Sequence, residues 1–364
     1  MSVQVSYSKQ FIFGFLLLLI FLGIVEGLVR IYEFDSKLCK WVDYDVFKGK
    51  KNLAQQICND LNSIKYIYDD YFHTFTPNHN SPTFSTNSYG LRGEEFEREK
   101  PSDVFRIFIV GGSTAASMGA TSNNSTIAVF LEQEFKDSSY PLTVQVIDAG
   151  VGGSFSFEET HFIKQILVEF QPDLIIAYDG GNDSRYRHLS DSPRYDKDFD
   201  IGNIKFSDFI FYRTPFVISS EIINPILLID DKVKDKDAQL IAEKWKNRWK
   251  SSCDFGNSSG FETIVILQPT LATTSKTLTS DEEKIKNNTS DLILTKQIMQ
   301  YMYDSFSELE QSCNGVIDLR DVFDIYDEPI FFDDIHVSDL GNKIVAKQIF
   351  SHVVPIIEKY DSLN

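Results

Sequence analysis

The sequence predicts an α/β fold: a doubly wound, flavodoxin-like parallel sheet of five strands with helices on both faces, plus an N-terminal transmembrane helix. From Phe105 onward, short apolar runs alternate with segments whose apolar residues recur at helical spacing. Near the N-terminus, Phe11 to Val29 is apolar throughout except for Glu26. A helix of that length is about long enough to cross the hydrocarbon core of a bilayer.

Five short, largely apolar runs bounded by turn residues are predicted to be buried parallel strands. They cover residues 106–110, 142–147, 174–178, 263–267 and 316–319. Because ligands of such sheets bind beyond the carboxyl ends of the strands, the residues after each strand are the first candidates for a site.

Helical stripes separate and follow these strands. Their apolar members are Ile127, Phe130, Leu131 and Phe135; Phe162, Ile163, Ile166, Leu167 and Phe170; Leu240, Ile241, Trp245 and Trp249; Leu294, Ile298, Met302 and Phe306; and Val345, Ile349 and Val353. Ser125 is expected to cap the first of these helices, and Pro355 to end the last.

These elements divide the chain into three parts. Residues 1–30 form the tail and transmembrane anchor, residues 31–100 a stalk and lead-in segment, and residues 101–358 the α/β domain, with an insertion at about 184–235. A cleaved signal peptide is the alternative to an anchor through residues 11–29, but no A-x-A cleavage pattern follows the segment. The weak positive-inside bias places the bulk of the chain outside the cytoplasm.

Charge and cysteine content narrow the class of protein. The formal net charge of -18 argues against nucleic-acid binding, because such a surface repels phosphate. Four cysteines, Cys39, Cys58, Cys253 and Cys313, permit two disulfides in an exported domain, although buried thiols are the alternative. Cys253 and Cys313 are predicted to pair at the edge of the sheet opposite the site, which leaves Cys39 for Cys58.

Four segments carry residues suited to one chemistry. Gly111-Gly112-Ser113 follows the first strand, and a serine in such a turn has room to expose its hydroxyl. Gly152-Gly153 follows the second strand and Gly180-Gly181-Asn182-Asp183 the third, offering amide donors to an oxyanion, although Asp183 can also serve as a helix cap. Asp333-Asp334-Ile335-His336 precedes the last helix and supplies a base with an adjacent carboxylate. Each segment alone is ordinary loop material.

Together the four segments resemble the SGNH (GDSL-like) hydrolase superfamily, over roughly Phe105 to Val354. The resemblance implies that Ser113 is the nucleophile and that Asp333 and His336 are its acid-base partners. It also implies an oxyanion hole of the Ser113 amide, Gly153 (with Gly152 as the alternative) and Asn182, and no metal or organic cofactor.

One position departs from the usual family pattern: Gly112 stands where many members have aspartate. The G-G-S form and the preceding lead-in, residues 87–93, are similar to those of other members. The departure leaves the nucleophile in place but weakens the inference of a lipase-like subgroup.

The resulting functional hypothesis is a serine esterase that acts through an acyl-enzyme on a small acyl ester or an acylated glycan outside the cytoplasm. An O-acyltransferase of surface polysaccharide uses the same residues and remains open. A non-catalytic binding protein has no need of the combined Ser, Asn, Asp and His. A nucleotide-binding protein is disfavoured because residues 111–114 match neither a P-loop nor a G-x-G-x-x-G fingerprint. The oligomeric state is left open.

Overall fold

The computed structural model describes residues 6–36, 39–138, 140, 142–186 and 235–361. The N-terminal helix α1, Tyr7–Ser36, belongs to one compact unit, and the described chain from Lys40 onward forms another. Within α1, Tyr7–Ile31 is long and apolar enough to span a membrane, although a signal sequence or a soluble core helix can share these properties. The insertion expected at about 184–235 falls mainly on residues 187–234, which lie outside the described residues.

The second unit contains seven strands and nine helices among the described residues. The strands are β1 Tyr66–Tyr68, β2 His73–Phe75, β3 Val104–Val110, β4 Thr143–Asp148, β5 Leu174–Asp179, β6 Glu262–Leu267 and β7 Gly315–Asp318. The helices are α2 Lys51–Ser63, α3 Ile127–Asp137, α4 Ser156–Gln165, α5 Gly181–Tyr186, α6 Asp235–Ser259, α7 Ser280–Asn288, α8 Leu292–Asp304, α9 Phe306–Leu309 and α10 Asp339–Asp361.

Strands β3 to β7 form a parallel sheet in the order β4-β3-β5-β6-β7, which is the flavodoxin-like order. The predicted fold class is therefore confirmed. Ile107 on β3 lies opposite Val146 on β4 and Leu174 on β5, so β3 is paired on both edges. The central strands read as continuous apolar runs because helices bury both of their faces.

Alternate residues of each strand contribute to two apolar cores, one on each face of the sheet. On one face Ile107 and Ile109 pack with residues of α3 and α10. On the other face Phe108 and Val110 pack with residues of α4, α6 and α8. This two-sided covering fixes the loops at the carboxyl ends of the strands on a rigid support.

Several local expectations at helix ends were wrong. Leu167 and Phe170, predicted in one helical stripe with Phe162, lie in a separate short 3-10 helix, because α4 ends at Gln165. Thr126 rather than Ser125 caps α3, accepting from the backbone N–H of Val129 at 3.2 Å. Pro355 does not end the last helix but lies inside α10. Val353 and Ile357 are both fully buried on either side of it, so their packing outweighs the lost backbone hydrogen bond.

The predicted disulfide between Cys253 and Cys313 is present, with 4.9 Å between the two Cα atoms. Cys313 lies shortly before β7, at the amino-terminal edge of the sheet. Cys253 lies inside α6, which continues to Ser259, rather than after that helix as its apolar stripe suggested. Both residues belong to the same apolar core. Cys39 and Cys58 are disulfide-bonded as well.

Residues 40–100 belong to the same compact unit as the sheet. They contribute α2 and the antiparallel pair β1-β2, in which Tyr66 lies opposite Phe75. Phe75 packs in a small apolar cluster with Ala116 and Val151. This segment therefore reaches the turns that follow β3 and β4.

Candidate active site

The strand order brings the predicted site segments to one edge of the sheet. Strand β3 lies between β4 and β5, so the turn carrying Ser113 is flanked by the loops that follow its two neighbours. Those loops carry Gly153 and Asn182. The strand order reverses at this point, which is where ligands bind in doubly wound sheets.

Ser113, His336 and Asp333 form a continuous chain of hydrogen bonds. His336 Nε2 lies 2.7 Å from Ser113 Oγ, and His336 Nδ1 lies 2.6 Å from Asp333 Oδ2. Asp333 Oδ1 accepts the backbone N–H groups of Ile335 and His336, at 2.9 and 2.7 Å. Two backbone donors thus hold Oδ1, and Oδ2 faces the imidazole.

The pKa values of the two adjacent carboxyl groups of this loop, Asp333 and Asp334, are shifted in opposite directions. Desolvation acts to raise the pKa of Asp333, but the facing His336 and the two backbone N–H donors outweigh it and hold the pKa well below its ordinary value. Burial raises the pKa of Asp334, against the attraction of Arg185, whose guanidinium lies 3.2 Å away. Asp333 is therefore the carboxylate that faces His336 and is stabilised as an anion there.

The serine turn depends on two glycines that have no room for a side chain. Gly111 has φ +149°, and a Cβ there would lie 2.2 Å from the carbonyl oxygen of Tyr178. A Cβ at Gly112 would lie 2.3 Å from Asn182 Nδ2 and 3.1 Å from the carbonyl oxygen of Ser154. Glycine at 112 thus lets the loops after β4 and β5 close on the serine turn.

Asn182 makes that contact itself, and Gly153 directly precedes Ser154, whose carbonyl also takes part in it. Asn182 is buried at the start of α5, and its Nδ2 donates to the carbonyl oxygen of Ser154 at 2.5 Å. Since an amide nitrogen carries two hydrogens, one remains for another acceptor. Gly153 has φ +83° and lines the same cleft as Ser113 and His336.

Arg92 stabilises the loop that follows Ser113. The sequence placed it only in the lead-in segment and gave no sign of this role. Its buried guanidinium donates to the carbonyl oxygens of Ala116, Ser117 and Thr83, at 2.5, 2.8 and 2.9 Å. Burial lowers the pKa of Arg92 to about 10, against the attraction of Asp148. A single side chain thus ties the lead-in segment to the loop after Ser113.

The cleft above Ser113 has a volume of about 270 Å³ and largely apolar walls. The residues that line it besides Ser113, Asp333 and His336 are Trp41, Leu61, Tyr66, Met118, Gly152, Gly153 and Phe332. Phe332 stacks on the His336 ring with a centroid distance of 5.7 Å, and Trp41 packs on Phe332 at 5.1 Å. Trp41, Leu61 and Tyr66 come from the segment before the sheet, where no sequence pattern links them to the site.

Within the part of the chain that the structure describes, no group of three or more His, Cys, Asp or Glu side chains is arranged to hold a metal ion.

No family model and no curated protein matches the sequence. Similar solved structures include the acetyl xylan esterase AlAXEase, with 14% identity over 68% of this chain and 100% of that one, at a TM-score of 0.42. A lipase/acylhydrolase from Enterococcus faecalis has 14% identity, covering 68% and 95% of the two chains, at a TM-score of 0.41. A G-D-S-L family lipolytic protein of Desulfitobacterium hafniense has 12% identity, covering 68% and 98%, at a TM-score of 0.39. At these values the similarity assigns no activity to this chain.

Proposed function

We propose that this protein is a serine esterase that hydrolyses acyl esters through an acyl-enzyme on Ser113. The observation that carries the proposal is the hydrogen-bonded chain from Ser113 Oγ through His336 to Asp333, with distances of 2.7 and 2.6 Å, at the floor of a cleft. A binding protein has no need of an aligned nucleophile, base and carboxylate.

In the first half of the reaction, His336 Nε2 takes the proton of Ser113 as Oγ attacks the ester carbonyl carbon. The Asp333 carboxylate accepts from Nδ1–H, which fixes the tautomer and stabilises the imidazolium. Collapse of the tetrahedral intermediate breaks the bond to the alcohol oxygen, and His336 returns the proton to that oxygen. The alcohol then leaves Ser113 acylated.

In the second half, water replaces the alcohol. His336 takes a proton from the water as its oxygen attacks the acyl carbon, and Ser113 Oγ leaves with that proton. The oxyanion formed in each half is stabilised by the backbone N–H groups of Ser113 and Gly153 and by Nδ2 of Asn182. Each such donor is typically worth roughly 100- to 1000-fold in rate.

The substrate class follows from the cleft. Within the described residues its volume of about 270 Å³ accommodates a short acyl group with part of an alcohol. The aromatic walls from Trp41, Tyr66 and Phe332 provide flat apolar faces on which a sugar ring can pack. A small ester or an O-acetylated glycan is therefore the substrate proposed.

The working compartment is outside the cytoplasm, with residues 11–29 as the membrane anchor. All four cysteines are disulfide-bonded, and such bonds persist mainly in oxidising compartments. The apolar span within Tyr7–Ile31 provides the anchor.

Ester hydrolysis by the chain from Cys39 onward tests the proposal. We expect release of acetate from p-nitrophenyl acetate and from acetylated oligosaccharides, much slower hydrolysis of long-chain esters, and no activity in Ser113→Ala. Gly315→Ala, far from the site and with ordinary contacts around the added Cβ, is the matched control. Undiminished hydrolysis by folded Ser113→Ala would refute the mechanism.

A further inference from the structure

The loop after β4 contains a tight turn whose central peptide carries the Gly153 N–H. The backbone N–H of Ser154 donates to the carbonyl oxygen of Val151 at 3.1 Å, which closes the turn. Gly153, at its third position, has φ +83°, whereas Gly152 lies outside the positive-φ region. This is the pattern of a type II β-turn. Types I and II differ at ψ of the second residue and φ of the third, so conversion turns the central peptide over.

The carbonyl of Gly152 and the N–H of Gly153 belong to one planar trans peptide and point in opposite directions. Whatever holds the carbonyl therefore sets the direction of the N–H. Two glycines at the central positions leave the turn free to adopt either type, because neither residue carries a Cβ that would favour one of them.

His73 holds that carbonyl. Its Nε2 lies 2.9 Å from the Gly152 oxygen, and its Nδ1 lies 3.0 Å from Glu158 Oε1. His73 is 2% exposed and Glu158 is 1% exposed. Because a carbonyl oxygen only accepts, Nε2 must carry the hydrogen. The Tyr66 ring packs edge-on against the imidazole, with 5.3 Å between the ring centroids. Glu158 lies in the first turn of α4. Both ring nitrogens are thus committed, and the ring orientation is fixed.

We propose that His73, oriented by Glu158, is a positioning residue that holds the Gly152–Gly153 peptide in the type II conformation with the Gly153 N–H directed at the oxyanion. The inference rests on the proposed function for the role of that N–H. His73 does not contact the reacting atoms and acts through the peptide. Without the hydrogen bond from His73 the buried Gly152 carbonyl is unsatisfied, which raises the free energy of the type II conformation relative to the alternative in which the central peptide is reversed.

The test compares two amide side chains of different reach. Glutamine can place its Nε2 where His73 has Nε2, whereas asparagine can replace only the Nδ1 group. We expect His73→Gln to stay within about threefold of wild-type kcat on p-nitrophenyl acetate. We expect His73→Asn to lose about 10- to 100-fold in kcat with little change in KM, less than the full loss of an oxyanion donor. Affinity for an aryl trifluoromethyl ketone, whose adduct carries an oxyanion, should fall in parallel with kcat.

His161→Gln is the matched control. His161 lies on α4, and its Nδ1 bonds the carbonyl oxygen of Phe157 in the same helix rather than the turn after β4. Its activity should equal that of the wild type. Thermal unfolding confirms that each variant is folded, and His73→Leu serves as a second variant without a donor. Equal kcat and ketone affinity in the folded donor-less variants and His73→Gln would overturn the proposal, whether all match the wild type or all are equally impaired.

The amide resonance of Gly153 reports the turn without reference to activity. In ¹⁵N-labelled protein it should move markedly in His73→Asn and stay close to its wild-type position in His73→Gln. An unmoved resonance in His73→Asn would refute the positioning role. If the resonance moves in His73→Asn but the wild type hydrolyses no ester, the role of His73 in the turn stands. That result counts against the esterase function alone.

Discussion

At the scale of single side chains, Asp333 and Asp334 are neighbours with different surroundings. Asp333 faces His336 and accepts two backbone N–H groups, whereas Asp334 pairs with Arg185. The D-D-I-H motif alone offers two candidate acids. The hydrogen bond to His336 Nδ1 distinguishes them, and it is made by Asp333.

Replacing each of these carboxylates separately tests this assignment. Asp333→Asn should lower kcat by up to about 10,000-fold, because an amide at this position stabilises the wrong tautomer of His336. Asp334→Asn, its matched control, should change kcat by less than about fivefold, since it loses only a partly exposed ion pair with Arg185. Steady-state kinetics on p-nitrophenyl acetate decides the matter. A larger loss in Asp334→Asn would assign the triad acid to the other residue.

At the scale of elements, the site is formed where three loops, at the ends of β3, β4 and β5, pack against one another. The loops meet at Gly112, where Asn182 Nδ2 and the Ser154 carbonyl oxygen occupy the space of a Cβ. Glycine at position 112 is therefore required by this packing. Arg92 adds a second tie between the lead-in segment and the loop that follows Ser113.

Gly112→Ala tests the loop contact. The added methyl group should push Asn182 away and lower kcat by roughly 10- to 100-fold, part of the cost of one oxyanion donor. Thermal stability should fall only modestly, because the main cores are untouched. A kcat within twofold of the wild type would show that Asn182 is not held by this contact. Gly315→Ala, with its nearest neighbour at 3.5 Å, is the control for adding a methyl group.

At the scale of the whole molecule, sequence patterns predicted the features that depend on residues close together in the chain, such as the strands and the turns that follow them. The five strands were recognisable because burial on both faces demands continuous apolar residues. The strand-end rule singled out the segments that carry Ser113 and Asn182, but the roles proposed for these residues and for His336 came only from the resemblance to a family. The contributions of Trp41, Tyr66, His73 and Phe332 were not predictable. Tyr66 and His73 lie in three-residue strands, Trp41 in a short 3-10 helix and Phe332 in a loop. None of them belongs to an element long enough to show a period, so tertiary packing places them.

The disulfide between Cys253 and Cys313 braces the edge of the sheet opposite the site. Replacing both cysteines with serine should lower the free energy of unfolding by roughly 2 to 4 kcal/mol, because the unfolded chain loses a long closed loop. kcat should remain within about twofold, since neither residue lies near the cleft. Urea unfolding with parallel kinetics provides the check. Unchanged stability would contradict the bracing role.

Buried carboxyl groups make the stability of the whole domain depend on pH. Burial raises the pKa of Asp148 to about 7, only partly offset by Arg92 and the Gly150 N–H. Burial likewise raises the pKa of Asp179 to about 7 and that of Glu159 well above its ordinary value. Between the unfolded pKa of about 4 and these values the folded state binds more protons, so stability is lost as pH rises through this window.

We therefore expect the urea midpoint to fall from pH 5 to pH 8. Asp148→Asn should shift the midpoint at every pH but reduce its pH dependence, because the amide cannot ionise. A midpoint that rises over this interval, or a slope unchanged in Asp148→Asn, would contradict the assigned burial effect.

The central claim is that Ser113 is a nucleophile activated by His336, and labelling with a fluorophosphonate probe tests it most directly. Peptide mass spectrometry of the wild type should find the probe on Ser113 and on no other serine, and labelling should fall steeply in His336→Ala with the fold intact. Probe on another serine, or undiminished labelling of Ser113 in His336→Ala, would contradict the claim.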